Sequence, residues 1–205
     1  MVDAISPRKA ERKEFILKVA QGLFNRFGLN KTTIEDIARK ARMGKASIYY
    51  YFKNKEAIFQ EVIQKEGEEL REKILTAIAR EPTPQRKLRR YVLTRTAALK
   101  ELANYYAAFQ EEYFEQYAFI EKARQDHNRF EVETIRNILQ EGIDQGVFAI
   151  QDVTLTAEVV LAALKGLEYH WTIQVPMETI ERNVDTLLEI LFRGIEKRGK
   201  TETEH

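Results

Sequence analysis

Apolar residues recur at steps of three and four along almost the whole chain, the period of a helix with one buried face. The first such stretch, residues 8 to 27, carries Ile16, Val19, Ala20, Leu23, Phe24 and Phe27 on one stripe and ends at Gly28. A short helix follows, with Ile34, Ile37, Ala38 and Ala41 on one face and Glu35, Asp36, Arg39 and Lys40 outward. From Lys45 to Phe52 another short helix places Ile48 and Phe52 inward, four apart. A longer helix then runs from Lys55 to about Arg80 with Ile58, Phe59, Val62, Ile63, Leu70, Ile74, Leu75 and Ile78. At 1.5 Å per residue it would span about 38 Å. Gly67 near its middle would permit a bend.

Punctuation supports these limits. Thr33 can cap the second helix by accepting a bond from a free first-turn amide, and Thr32 with Glu35 offers an alternative capping box one residue earlier. In Arg42-Met43-Gly44, Gly44 is expected to take the angles of the sharp bend and Met43 to plug the corner between helices. Asn54 is placed to cap the helix that begins at Lys55. Glu81-Pro82-Thr83-Pro84 breaks the pattern and marks a boundary.

Beyond that boundary a helix from Pro84 to Leu102 turns Leu88, Tyr91, Val92, Ala98, Leu99 and Leu102 inward. Residues 105 to 119 hold seven of the chain's 21 aromatic residues, with Tyr105, Phe109 and Tyr113 on one helical stripe and Tyr106, Phe114 and Tyr117 beside it. Rings interleaved with hydroxyls can line a cavity for a flat or apolar ligand, with Phe130 and Trp171 as further candidates, or they can form an ordinary aromatic core. Residues 120 to 145 form a helix with Phe130, Ile135, Ile138, Leu139 and Ile143, closed by Gly146. Its His127 and Glu131, four apart, could share a metal ion, but two ligands do not make a site, and a solvent-facing histidine is expected. In the last two helices Val153, Ala157, Val160, Leu164, Leu167 and Trp171, then Met177, Ile180, Val184, Leu187, Leu191 and Ile195, form near-heptad seams. These are expected to build a four-helix bundle between two subunits, the alternative being packing within one. The tail after Lys197 is polar and is expected to form no stable element.

Two short helices joined by a tight turn make a helix-turn-helix, whose second helix enters the major groove of DNA. The outward residues of that helix fit the role. Lys45 can reach phosphate or a guanine edge, Ala46 a thymine methyl, and Ser47 can donate or accept. Tyr49, Tyr50 and Tyr51 offer rings ending in hydroxyls, Lys53 and Lys55 add charge at the exit, and Thr33 lies at the start of the supporting helix. Arg8-Lys9 and Arg12-Lys13 could reach a neighbouring phosphate or remain a solvated basic end.

The run Thr33-Ile34-Glu35-Asp36-Ile37-Ala38 followed by Ile48-Tyr49-Tyr50-Tyr51-Phe52-Lys53-Asn54-Lys55-Glu56 resembles the signature of the TetR family of bacterial transcriptional repressors. The match covers roughly the first 55 residues; over the rest, length and helix pattern alone agree. Arg42 and Gly44 stand where the family usually has Gly and Ser, and Tyr51 where it often has His. The resemblance implies a ligand cavity among the middle helices of the second domain.

Charge adds to this picture. Of 33 Lys+Arg and 32 Asp+Glu, residues 1 to 55 hold 13 and 5, a net +8, leaving 20 and 27, a net −7, for the remainder. A basic head on an acidic body suits a duplex backbone as partner of the head alone. The chain has no cysteine, which excludes disulfides, thiolate catalysis and cysteine-zinc sites. Three histidines and no G-x-S-x-G, phosphate loop or H-E-x-x-H argue against an enzyme, and no cofactor or metal is implied. No signal peptide or membrane-length apolar run is evident, so the cytoplasm is expected.

Together these features predict an all-α chain. Residues 1–55 form a three-helix DNA-binding domain, residues 55–80 the linking helix, and residues 81–205 a ligand-binding and dimerisation domain. The expected function is that of a homodimeric repressor released from a palindromic double-stranded DNA operator by a small hydrophobic or aromatic effector, without membrane association. The alternative is a DNA-bound protein whose second domain holds a protein partner.

Overall fold

A computed structural model describes residues 7–106, 122 and 124–195. Among them lie eight helices: α1 (Pro7–Lys31), α2 (Ile34–Ala41), α3 (Lys45–Tyr51), α4 (Lys55–Ile78), α5 (Pro84–Tyr106), α6 (Gln125–Asp144), α7 (Val153–Gln174) and α8 (Met177–Ile195). The chain is all-α, as its periodicity predicts. It packs as two units, one of residues 1–69 and 102–125 and the other of residues 70–101 and 126–205, so that both α4 and α5 are divided between them.

The first unit is built around Ile16, Leu17, Ala20 and Phe24 of α1, Ile34, Ile37 and Ala38 of α2, Ile48 and Phe52, and Ile58, Phe59, Val62 and Ile63 of α4. Phe24 meets Phe59 edge-on, with centroids 5.3 Å apart. The buried stripe of α1 is therefore centred on positions 16, 20 and 24, with Leu17 beside it. Phe27, expected on that stripe, is 41% exposed under the Arg26 guanidinium. Gly28 at φ 80 breaks the helical path just after it.

The second unit gathers Leu70 and Ile74, Leu88, Tyr91 and Val92, Ile135, Ile138 and Leu139, Phe148, and the inner faces of α7 and α8. The close of α6 requires glycine twice. Gly146 has φ 70, and a β-carbon on Gly142 would lie 2.0 Å from the Phe148 ring, which stacks on Phe192 at 5.8 Å.

The seams of α7 and α8 differ from expectation. Ala157, Leu164 and Trp171 are buried and Val153, Val160 and Leu167 half-buried in this unit's own core. On α8 the buried line is Ile180, Val184 and Leu188, with Leu187 half-buried. The heptad positions thus pack within one chain, and among the described residues the large apolar side chains left exposed on α7 and α8 are others: Leu155, Val159 and Ile190.

Candidate nucleic-acid interface

The supporting helix α2 starts at a reciprocal cap. The Thr33 hydroxyl accepts from the Asp36 amide at 3.1 Å, and the Asp36 carboxylate accepts from the Thr33 amide at 3.1 Å and from its hydroxyl at 2.6 Å. The box is therefore Thr33 with Asp36. Thr32 is buried instead and donates its hydroxyl to the Gly28 carbonyl at 2.7 Å. These bonds hold the Asp36 carboxyl below its ordinary range, with the Thr33 hydroxyl bond the largest cause.

The bend after α2 is made by Arg42, not Gly44. Arg42 adopts φ 55 and ψ 41, and the next amide, Met43, donates back to the Ala38 carbonyl at 2.9 Å. Met43 is half-buried against the core, which is the apolar contact that accompanies such a left-handed stop. Gly44 is extended, at φ −71 and ψ 148, and as the residue before α3 supplies no side-chain cap.

α3 turns Ile48 fully inward and is anchored at its end by Phe52. Opposite, Lys45 and Ala46 are exposed, Tyr49 is 48% and Tyr50 67% exposed, and Ser47 is half-buried. Lys53 is exposed. Tyr51 is half-buried against the core and meets the Tyr50 ring edge-on at 5.0 Å. The Lys9 ammonium of α1 lies 4.9 Å from the Tyr50 ring centroid, so the basic start of α1 flanks this face. Lys55 serves packing: its ammonium donates to the Leu29 carbonyl at 2.6 Å and the Asn30 carbonyl at 3.5 Å, and it is half-buried. Asn54 caps α4 as expected, accepting from the Ala57 amide at 2.8 Å.

One partner is invisible to helix periodicity. Lys45, the sole cation of α3, is ion-paired with Glu35 of α2, ten residues earlier and across the turn. The mutual hydrogen bond draws the Glu35 carboxyl down and pushes the Lys45 ammonium up from their ordinary values.

Of the candidate effector residues, Phe109, Tyr113 and Tyr117 lie outside the described residues, and Tyr105 is placed only as part of the α5 backbone. Trp171 is 6% exposed in the second core. Phe130 is half-buried, with the Arg71 guanidinium 4.4 Å from its ring centroid and the His127 ring at 6.2 Å. His127 is not solvent-facing. Its Nε2 is 3.4 Å from the Glu131 carboxylate, which is 1% exposed and accepts from Tyr91 Oη at 2.8 Å and Arg95 Nε at 2.6 Å. Burial alone would raise the Glu131 carboxyl, but Arg95, His127 and Tyr91 bring it down to about 2. No group of three or more metal-ligating side chains occurs among the described residues.

Comparison with known proteins agrees with this geometry. Residues 16–62 match the family model of bacterial regulatory proteins of the tetR family, and residues 84–196 that of the tetracyclin repressor-like C-terminal domain. The chain is 28% identical to the HTH-type transcriptional regulator QacR of Staphylococcus aureus, over 76% of its own length and 83% of the relative's. It is 27% identical to the HTH-type transcriptional repressor KstR2 of Mycolicibacterium smegmatis over 68% of each. Among solved structures, a transcriptional regulator from Cytophaga hutchinsonii superposes with a TM-score of 0.70 at 27% identity, covering 90% of this chain and 98% of the other. With its helix-turn-helix matched by one model and more than half of its length by the other, the chain belongs to the TetR family of bacterial transcriptional regulators.

Proposed function

We propose that this regulator is a repressor that holds a palindromic operator as a homodimer and leaves it when a small hydrophobic or aromatic molecule enters the second unit. The observation that carries the DNA reading is the two-sidedness of α3. Ile48 and Phe52 fix it to the core, while Lys45, Ala46, Tyr49 and Tyr50 are presented to solvent. Those side chains can read base edges, and Lys53 and the basic start of α1 can hold phosphates. Thr33 acts mainly through the cap that orients α2, and Lys55 through the tie that fixes α4 to the end of α1. The net +8 of the first 55 residues supplies the sequence-independent attraction.

Two copies are favoured because one short helix reads only a few base pairs, whereas a twofold pair reads a palindrome. The exposed Leu155 and Val159 of α7 and Ile190 of α8 are the surface for that pairing. An effector site in the second unit is supported by Phe130, an apolar ring beside ionisable groups in a half-buried position. A ligand that prefers the non-binding arrangement of the two recognition helices shifts the population, with α4, shared between both units, as transmitter. A coupling of about 1–3 kcal/mol would weaken operator affinity some 5- to 150-fold. No described helix is long and apolar enough to cross a membrane, which suits a regulator working in the cytoplasm.

Fluorescence anisotropy on a duplex enriched by the protein from a random pool tests the reading. Tyr49→Ala and Lys45→Ala are each expected to weaken specific binding about tenfold, as loss of 1–3 kcal/mol of base contact would, with the dimer intact. Unchanged isotherms for both would remove α3 as the recognition helix. Native mass spectrometry of the protein from its own source tests the effector: a dimer that sheds a discrete small mass on denaturation supports it, and a bare dimer counts against it.

A further inference from the structure

The ion pair between Glu35 and Lys45 places a carboxylate on the face that meets DNA, where a carboxylate should weaken binding. Both side chains are about half exposed, at 52% and 51%, so the pair is not required by burial. An exposed ion pair of this kind adds little to stability. The cap itself is completed by Asp36, which bonds Thr33 and also pairs with Arg39 at 3.3 Å, while Glu35 adds a first-turn negative charge that contributes only modestly at an exposed helix start. Beyond that modest contribution, the partner that engages the Glu35 carboxylate is Lys45.

Holding Lys45 has a chemical consequence. A lysine is a flexible point charge with three donors, and left alone on a helix at a DNA surface it settles on whichever phosphate is nearest. Pinned by one donor to Glu35, with its ammonium also 6.0 Å from the Tyr49 ring centroid, Lys45 keeps two further donors. Those two match the O6 and N7 acceptors of guanine. A phosphate that tried to capture Lys45 would have to tolerate the Glu35 charge beside it.

Resting on the reading of α3 as the recognition helix, we propose that Glu35 is a specificity-determining residue, which positions Lys45 on a base edge and lowers affinity for DNA of unrelated sequence. Glu35 acts through Lys45, so the two should behave as one reader of one base-pair position.

The test uses the full chain and two probes: a duplex of about 24 base pairs enriched from a random pool by the wild-type protein, long enough for two half-sites a turn apart, and the same composition scrambled. Glu35→Gln is expected to bind the scrambled duplex about threefold or more tightly and to steepen the salt dependence of that binding by about one phosphate contact. The ratio of specific to scrambled affinity should fall about fivefold or more, within the range of one good base contact. Repeating the enrichment with Glu35→Gln and with Lys45→Ala should relax preference at the same base-pair position. In the Lys45→Ala background, Glu35→Gln should leave the specificity ratio unchanged. A ratio within twofold of wild type for Glu35→Gln, or an equal loss with and without Lys45, overturns the role of Glu35 while leaving DNA recognition standing. If the wild-type chain enriches no sequence at all, the recognition reading itself falls, and this inference with it. Circular dichroism of Glu35→Gln should show an unchanged helical spectrum and melting profile, which separates these outcomes from misfolding.

Discussion

At residue scale, the turn between α2 and α3 is built with the less suitable residue at each of two positions. Arg42 occupies a left-handed conformation in which a β-carbon crowds the following carbonyl, a strain of about 1–2 kcal/mol that glycine lacks. Arg42→Gly should therefore raise stability by roughly 1 kcal/mol, read as a higher urea midpoint. Gly44, which precedes α3 without a side-chain bond, has room for one: a β-carbon there would meet nothing nearer than the Ser47 hydroxyl, at 4.0 Å. Gly44→Ser should add only a few tenths of a kcal/mol. Gly142 behaves in the opposite way. Phe148 is 3% exposed and held by Phe192, so its ring cannot withdraw from an added methyl. Gly142→Ala is expected to destabilise by about 1–3 kcal/mol despite the better helix propensity of alanine, because overpacking outweighs it. A thermal melt at or above the wild-type midpoint would show that the ring can move.

Among the elements, α6 carries the clearest case of a charge kept inside a helix bundle. Glu131 is ionised in the interior because Arg95, Tyr91 and His127 converge on it. Its folded carboxyl, at about 2, lies below the ordinary 4.5, so the unfolded chain binds this proton more readily. The resulting stability is complete above pH of about 4.5 and is lost as pH falls towards 2. Urea midpoints measured from pH 6 down to 3 should decline, and the decline should be shallower in Glu131→Gln. That variant removes one charge of a buried ion pair with Arg95 and should lose about 3–5 kcal/mol at pH 7. The network was legible only in part. His127 and Glu131 share a face by their spacing of four, but the partners that bury them come from α5, and pairing between helices leaves no periodic trace. The same limit hid Glu35 from Lys45. By contrast, Thr33, Asn54 and Gly146 end or begin helices through bonds to residues three or four away, and such local chemistry can be read directly. Gly44 misled because glycine tolerates a left-handed bend without requiring one.

For the molecule as a whole, the informative helix is α7, which is apolar on two faces at once. Ala157, Leu161 and Leu164 are buried in the second core, yet Leu155 is 55% and Val159 59% exposed on another side. A helix apolar nearly all round is ordinarily covered all round. Periodicity identified the seam of Ala157 and Leu164 and could not say what covers it; in the folded chain that cover is its own core. On α8, Ile190 is likewise 67% exposed, and these exposed residues are the surface proposed above for a second copy. The two assignments make opposite predictions. Val159→Glu with Ile190→Glu removes little intrachain packing, both residues being more than half exposed, so it should leave the helical spectrum intact while light scattering reports a monomer. Operator binding should fall with it, since a single half-site supplies only part of the contacts. Leu164→Ala, on the buried face, should lower stability by about 2–5 kcal/mol while leaving a dimer among the folded molecules. A dimer that survives the paired glutamates but dissociates on Leu164→Ala would return the interface to the heptad seam. It would also mean that the core described for the second unit opens when two chains meet.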